Sequence, residues 1–222
     1  MAESFAAEGV DTSQFCLFED GASSVSGVIV DEQGERQIVN FRGHYPVDPG
    51  WLPLTSLSAD CVLADPRWPE GAQALFAEAR RRGIPTVLDG DVADTYVFEC
   101  LLPLTDHAIF SEPGLRGFGG EDMDSALERA AKFGCRMVAV TRGGDGLLWQ
   151  DHSGRHHMPA PSVQIVDTTA AGDVFHGAYA FAIGARLGMS DALDFASSVA
   201  ALKCTRPGGR ASIPSLDDLK SS

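Results

Sequence analysis

The residues best suited to chemistry lie together in Asp167-Thr-Thr-Ala-Ala-Gly-Asp173, directly before the apolar run from Val174 to Leu187. The run predicts a helix. The first N–H groups of a helix have no partner within it and bind anions, helped by the helix dipole. Small residues at Ala170, Ala171 and Gly172 let the backbone approach a ligand closely. The stretch therefore predicts an anion hole.

Asp173 places a second carboxylate beside that anion hole. A helix cap needs only one side chain, and Asp167, Thr168 or Thr169 could provide it. Asp173 is therefore a candidate general base, which would take a proton from a hydroxyl while the helix amides stabilise a transferring phosphoryl group. The alternative is a loop of small residues in which the acid caps the helix for stability alone.

Composition narrows the class of protein. With 222 residues, 44% of them hydrophobic and 22% charged, the chain is predicted to form one globular domain. The net charge of -14 and the absence of a Lys/Arg-rich run argue against a nucleic-acid partner. The sequence has no apolar run of about 18 residues and no leader at Met1, so neither a membrane span nor secretion is predicted. Five scattered cysteines predict reduced thiols in the cytoplasm: Cys16, Cys61, Cys100, Cys135 and Cys204.

Apolar strand patterns alternate with helical ones through the middle of the chain, which predicts a parallel sheet with both faces covered. The predicted strands are 61–65, 84–89, 108–111 and 136–141, and the predicted helices are 69–82, 93–102 and 121–133. These strands end on the polar residues Asp65, Asp89, Ser111 and Thr141. Because ligands of such sheets bind at the carboxyl ends of the strands, these residues predict a site at that edge.

Two further turns are candidates for function. Strand patterns at 25–31 and 35–41, joined by Glu32-Gln-Gly34, predict a hairpin that is either a lid or a surface ribbon. Thr141-Arg-Gly-Gly-Asp-Gly146 is a Gly-rich turn, which by itself indicates only a tight connection between strands. His152, His156 and His157 are not predicted to bind a metal, because neighbours on a strand point to opposite faces.

The stretch from Asp167 to Asp173 resembles the D-T-x-G-A-G-D signature of the ribokinase-like (PfkB) sugar kinases. Thr141, Gly143 and Gly146 match the T-x-G-x-x-G element of the same family, about 26 residues earlier and in the expected order. The resemblance implies a three-layer α/β/α fold with a mostly parallel sheet and a small β lid. It implies one kinase domain over residues 1–222, with residues 24–42 as a remnant of the lid.

The resemblance also assigns roles to residues. It implies that Asp173 is the catalytic base, that Ala170, Ala171 and Gly172 form the anion hole, and that ATP and Mg²⁺ are used. Thr141, Gly143, Gly146 and Gly208 match nucleotide-binding positions. The loop Pro207–Arg210 matches one that lies beside the adenine and a monovalent-cation site, and the same residues also fit a helix end stopped by Pro and Gly.

No protein ligand for a metal is predicted. The family has N-x-x-E near the magnesium-bound phosphates, and this chain has Ser111-Glu-Pro-Gly114 in its place. Mg²⁺ would then be held mainly by the nucleotide and water.

Longer stretches, including Val62–Trp68, Asp106–Leu115 and Ala200–Arg210, are similar to bacterial sulfofructose kinases. This similarity implies ATP-dependent phosphorylation of the 1-hydroxyl of 6-deoxy-6-sulfofructose, with Arg67 and Asn40 donating to the sulfonate. The alternatives are a surface ion pair for Arg67, a turn or strand-edge role for Asn40, and a fructokinase or ketohexokinase type of 2-keto-sugar kinase.

The chain departs from the family pattern in two places. Ala170 replaces the first signature glycine, and at a positive φ it would cost on the order of 1 kcal/mol. The substrate-binding Asp and Gly-Gly motif expected at the front are not found, so the resemblance predicts a kinase without its N-terminal segment. Poor solubility or pairing with another chain is then expected. Two possibilities are left open. One is a form that binds nucleotide without phosphorylating a sugar, and the other is a homodimer that forms through the lid.

Overall fold

The structure is a computed structural model that describes residues 2–30, 36–41, 43–45 and 47–219. These residues form two compact units, Met1–Leu52 and Pro53–Ser222. The first unit contains helix α1 (Ala2–Ala7) and the antiparallel strands β1 (Val25–Val30) and β2 (Arg36–Phe41). The predicted hairpin strands are therefore present, while the predicted turn Glu32–Gly34 lies outside the described residues. The lid role of this hairpin and the single domain over 1–222 stay predictions.

The second unit is built on a six-stranded sheet in the order β3-β4-β5-β6-β7-β8. The first four strands are parallel, and the last two continue the sheet as an antiparallel meander. The strands are β3 (Val62–Ala64), β4 (Thr86–Gly90), β5 (His107–Ser111), β6 (Met137–Thr141), β7 (Leu147–Asp151) and β8 (Gly154–Met158).

Helices cover the sheet on both sides. They are α2 (Pro69–Arg82), α3 (Thr95–Leu101), α4 (Glu112–Gly119), α5 (Met123–Ala131), α6 (Ala171–Gly184) and α7 (Met189–Cys204). The single turn α8 (Leu216–Leu219) follows near the end of the chain. Among the residues that the structure describes, no helix is both long enough and apolar enough to cross a bilayer.

The apolar core is divided by the sheet into two layers. Leu88, Phe110 and Val138 pack with helices α2 to α5 on one face. Their strand neighbours Val87 and Ile109 pack with α6 and α7 on the other. Since successive side chains of a strand point to opposite faces, continuous apolar runs of this kind require cover on both sides. The three-layer α/β/α architecture with a mostly parallel sheet is confirmed.

The bounds of α2 agree with the prediction because both ends carry local signals. Pro69 opens the helix, and Gly83 closes it in the left-handed conformation with φ of 72°. Helix α4 was not predicted at all. It begins after Ser111, whose hydroxyl accepts a hydrogen bond from the N–H of Gly114 at 3.1 Å and caps the helix.

Candidate active site

The four parallel strands end side by side at one edge of the sheet. Asp89 lies near the end of β4, and Ser111 and Thr141 are paired in register at the ends of β5 and β6. Asp65 directly follows β3. The sheet therefore gathers the four polar strand ends at one edge, as the alternation of strands and helices predicts.

Helix α6 begins with an uncapped first turn. Ala170 is its N-cap residue, with φ of 61° and ψ of 15°, and no side chain of the described residues caps the helix. Ala171 donates its N–H to Thr168 in the preceding turn. The N–H groups of Gly172 and Asp173 lie where a helix offers no acceptor of its own. Asp167, Thr168 and Thr169, which the sequence offers as possible caps, do not cap α6, and its first turn is available for an anion.

Asp167 instead organises the loop that leads into α6. Its carboxylate accepts from the N–H of Thr169 at 2.8 Å and from the N–H of Gly208 at 2.9 Å. The hydrogen bond from Thr169 is the main cause that lowers the pKa of Asp167 to about 2. The fully buried Lys203 donates its ammonium to the Asp167 carbonyl at 2.9 Å. These contacts join the loop to the end of α7 and fix where α6 begins.

A cavity of about 220 Å³ lies beside the first turn of α6. It is lined by the Gly-rich turn after β6, by the loop before α6 and by α7. The sequence-predicted residues that share this lining are Thr141, Gly143, Gly146, Ala171 and Gly172. Gly208 is not in the lining but holds the Asp167 loop. A helix N-terminus beside a glycine-rich turn and an apolar wall suits a ligand that joins phosphates to a flat ring.

Gly146 illustrates why the turn after β6 needs glycine. Its φ is 81°, and a Cβ placed there would lie 2.0 Å from the carbonyl oxygen of Met158. No other residue could keep both the conformation and the close approach of β8. The glycine therefore determines the shape of one wall of the cavity.

Ala170 and Asp173 line a second, larger cavity of about 590 Å³. Its walls are mostly apolar side chains of α6 and α7, with Arg210 at one side. The first turn of α6 thus takes part in two cavities, with Ala171 and Gly172 lining the smaller one. Of these residues, Asp173 lines only the larger cavity.

Carboxylates dominate the charge at this edge. Burial raises the pKa of Asp89 to about 6, with His176 acting in the opposite direction and Asp173, Asp91 and Asp65 raising it further. Three other acids are therefore close enough to Asp89 to influence its pKa. Carboxylates accept hydrogen bonds from hydroxyl groups, so the edge suits a polyhydroxylated ligand better than a second anion.

Arg67 is tied to this acidic edge. Its guanidinium lies 3.4 Å from Asp91 and 3.8 Å from Asp65, and its side chain is 59% exposed. Asp91 also accepts a hydrogen bond from the Ser111 hydroxyl at 3.2 Å. Asp91 was not singled out from the sequence, although its position two residues after Asp89 in an Asp-Gly-Asp strand end was a usable signal.

Asn40, the other residue predicted to hold a sulfonate, belongs to the first unit. It lies on β2, is exposed, and donates its side-chain N–H to the Ser26 hydroxyl across the hairpin at 3.2 Å. This contact is a cross-strand pair within the hairpin.

Glu112, at the start of α4, is held by arginines. Its carboxylate lies 2.7 Å from Arg116 and 3.9 Å from Arg142. Gly114, which stands where the family has Glu, packs so closely that a Cβ would lie 2.2 Å from the Gly90 carbonyl. Within the described parts of the chain, no three His, Cys, Asp or Glu side chains are grouped to hold a metal ion.

Comparison with known proteins identifies one family whose profile matches nearly the whole chain. The profile described as pfkB family carbohydrate kinase matches residues 1–216. Ribokinase of Staphylococcus aureus is 27% identical over 229 residues, which cover 98% of this chain and 75% of the ribokinase.

Solved structures agree with this match. A protein of Agrobacterium tumefaciens, provisionally assigned as a ribokinase, is 33% identical with a TM-score of 0.86, over 99% of this chain and 74% of that one. Ribokinase of Arabidopsis thaliana, solved with ribose and ATP, is 20% identical with a TM-score of 0.77, over 100% of this chain and 78% of that one. The second likeness supports the fold alone.

Proposed function

The chain belongs to the pfkB family of carbohydrate kinases, and from that premise we propose that it transfers the γ-phosphoryl group of Mg·ATP to a hydroxyl group of a sugar. The observation that carries the proposal is the uncapped start of α6, where Asp173 stands beside the free N–H groups of the first turn. The phosphotransferase class and the ribokinase-like fold follow from the family. The residues that perform the reaction and the identity of the sugar are the proposal.

The transfer would use few protein groups. Asp173 takes the proton of the sugar hydroxyl as its oxygen attacks the γ-phosphorus, and the bond to the bridging oxygen of ADP breaks. The N–H groups of Gly172 and Asp173 donate to the oxygens of the transferring group, where negative charge gathers. Mg²⁺ arrives as part of the nucleotide substrate and offsets the phosphate charge.

The smaller cavity is the proposed nucleotide site. Thr141, Gly143 and Gly146 would lie against the nucleotide, and Ala171 and Gly172 against its terminal phosphates. Gly208 would act by holding Asp167 and with it the start of α6. The proposed location is the cytoplasm, where ATP is abundant and the five cysteines, all free in the structure, stay reduced.

A neutral sugar is the acceptor that the charges favour. The edge that faces Asp173 carries Asp65, Asp89 and Asp91, which can accept hydrogen bonds from several hydroxyls. The second candidate is 6-deoxy-6-sulfofructose, phosphorylated at its 1-hydroxyl, and Arg67 is the observation in its favour. A sulfonate there would have to compete with the two carboxylates that already flank the guanidinium.

The proposal is tested by ADP release from Mg·ATP with ribose, fructose, fructose 6-phosphate and sulfofructose. We expect sugar-dependent release with at least one of them, and most with a neutral sugar. If sulfofructose is the substrate, Arg67→Gln raises its KM at least tenfold and leaves a neutral sugar unaffected. Tight binding of ATP without sugar-dependent release would support the nucleotide-binding form and overturn the kinase proposal.

A further inference from the structure

His176 lies one turn into α6 and is 3% exposed. Its Nδ1 is 2.7 Å from the Gly172 carbonyl oxygen and 3.4 Å from Asp89 Oδ2. Its Nε2 is 3.1 Å from the carbonyl oxygen of Ile109, in the middle of β5. One side chain thus connects the first turn of α6 with β4 and β5.

The two carbonyl contacts decide how many protons the ring carries. A carbonyl oxygen can only accept a hydrogen bond, and here one faces each ring nitrogen. A neutral imidazole has one nitrogen without a proton, and its lone pair would then face a carbonyl lone pair at 2.7 or 3.1 Å. Both contacts are satisfied as hydrogen bonds only when both nitrogens carry a proton, which is the imidazolium form of the ring.

Asp89 provides the compensating charge. A buried cation is retained only when it is paired and hydrogen-bonded, and the Asp89 carboxylate 3.4 Å from Nδ1 meets that need. Asp89 is itself surrounded by Asp65, Asp91 and Asp173. The ring therefore lies against an acidic group of side chains.

We propose that His176 is a positioning residue for phosphoryl transfer, held as an imidazolium that fixes the first turn of α6 against the strand ends. The inference rests on the proposed kinase function. The Gly172 carbonyl that His176 holds and the Asp173 N–H belong to the same planar peptide group, so the ring sets the direction in which that donor points. Asp173 and His176 are three residues apart on the helix and are neighbours. The positive charge offsets the repulsion that the carboxylates exert on an incoming phosphate.

The proton count is tested without any turnover. Protein with ¹⁵N-labelled histidine is studied by NMR at pH 7.5, and the signal of His176 is identified as the one that disappears in His176→Leu. We expect two ring nitrogens that both carry a proton. One protonated and one unprotonated nitrogen would overturn the imidazolium.

The positioning role is tested by kinetics with a matched control. His176→Leu keeps an apolar side chain in the core and removes both hydrogen bonds and the charge. Tyr179→Phe, one turn further along α6, removes a buried hydrogen bond of 2.9 Å to His107 that has no link to the first turn. We expect kcat to fall at least tenfold in His176→Leu with the KM for ATP within about threefold of wild type, and Tyr179→Phe to keep wild-type kcat.

Equal losses of kcat in the two variants, or a His176→Leu kcat within threefold of wild type, would overturn the role. Should the leucine variant not fold, His176→Gln replaces it, because glutamine retains a donor for the Ile109 carbonyl but no charge. A wild-type chain without kinase activity refutes the proposed function, and the NMR measurement then decides the protonation of His176 separately.

Discussion

Ala170 is the residue at which the site departs most clearly from unstrained geometry. It occupies the left-handed region with φ of 61°, where a Cβ approaches the following carbonyl oxygen and glycine has no penalty. This positive φ is the conformation in which an alanine that replaces the first glycine of the family signature is expected to be strained. The strain is tolerated because the Asp167 loop and α6 fix the backbone on either side.

Ala170→Gly should therefore stabilise the protein. We expect the free energy of unfolding to rise by roughly 0.5 to 1 kcal/mol, since relief of the strained φ outweighs the extra freedom of the unfolded chain. Urea unfolding measures the change. The control is Ala180→Gly in the interior of α6, which should destabilise by about 1 kcal/mol. Destabilisation by Ala170→Gly would show that the alanine is not strained.

At the scale of elements, the junction of β5 and α6 carries a buried polar pair. The Tyr179 hydroxyl lies 2.9 Å from His107 Nδ1, and both side chains are buried. Burial lowers the pKa of His107 to about 4 from an ordinary value of 6.5. The folded form thus keeps the ring neutral, and Tyr179 donates to it.

This pair predicts acid sensitivity. Between pH 6.5 and 4, His107 is protonated in the unfolded chain but stays neutral in the folded chain. The free energy of unfolding therefore falls as the pH is lowered through that window. Full charging would cost on the order of 3 kcal/mol. In His107→Asn the amide oxygen can still accept a hydrogen bond from Tyr179, but the side chain cannot be protonated. The part of the acid-induced fall in the free energy of unfolding that His107 causes in the wild type should therefore be absent in this variant.

Urea unfolding at pH 7.5 and pH 4.5 measures the difference, with the exposed His152→Asn as the control. Comparison between variants is needed because Asp89 acts in the opposite sense. Its raised pKa of about 6 means that its ionised form costs stability, a cost that is relieved as the pH falls through 6. Parallel pH profiles of His107→Asn and wild type would contradict the assignment.

The elements also show what the sequence can predict. Helix α2 could be located to the residue because Pro69 and Gly83 mark its ends. Helix α4 was missed because its glycines at 114, 117 and 119 are typical of a loop, although Ser111 and Pro113 were usable start signals. Local chemistry defines such ends, whereas close packing, which explains the glycines at 114 and 119, depends on β4 and α5 and is not visible in the local sequence.

The candidate site was predictable only where its residues follow one another in the sequence. Asp173 and the small residues before it are contiguous in sequence, so their chemistry could be read directly. The contacts of His176 involve Asp89 and Ile109 on two other elements. Such contacts depend on strand order and register, which a single sequence does not reveal. Likewise the ion pairs of Arg67 became visible only with the sheet assembled.

At the scale of the whole molecule, the net negative charge of the protein opposes the approach of the anionic nucleotide. The chain has a net charge of -14, and the acidic edge adds to it locally. Since Mg·ATP is an anion, its approach should be slower at low ionic strength, where charges act over about 30 Å, than near 0.1 M salt, where they act over about 10 Å.

We therefore expect the KM for Mg·ATP to fall several-fold between about 0.01 and 0.15 M ionic strength. The KM for a neutral sugar, measured in the same assays, is the internal control and should stay constant. A KM for Mg·ATP that rises with salt would show that a local positive field, and not the net charge, governs binding.

The measurement that tests the central claim most directly is transfer of ³²P from γ-labelled ATP to the sugar, with the wild type and Asp173→Asn run in parallel. The account predicts labelled sugar phosphate from the wild type and a rate at least about 10²-fold lower from Asp173→Asn, because the general base is lost. Asp194→Asn, an exposed acid on α7, should match the wild type. Equal rates from Asp173→Asn and the wild type would remove Asp173 from the mechanism, and label found only in inorganic phosphate would contradict sugar phosphorylation itself.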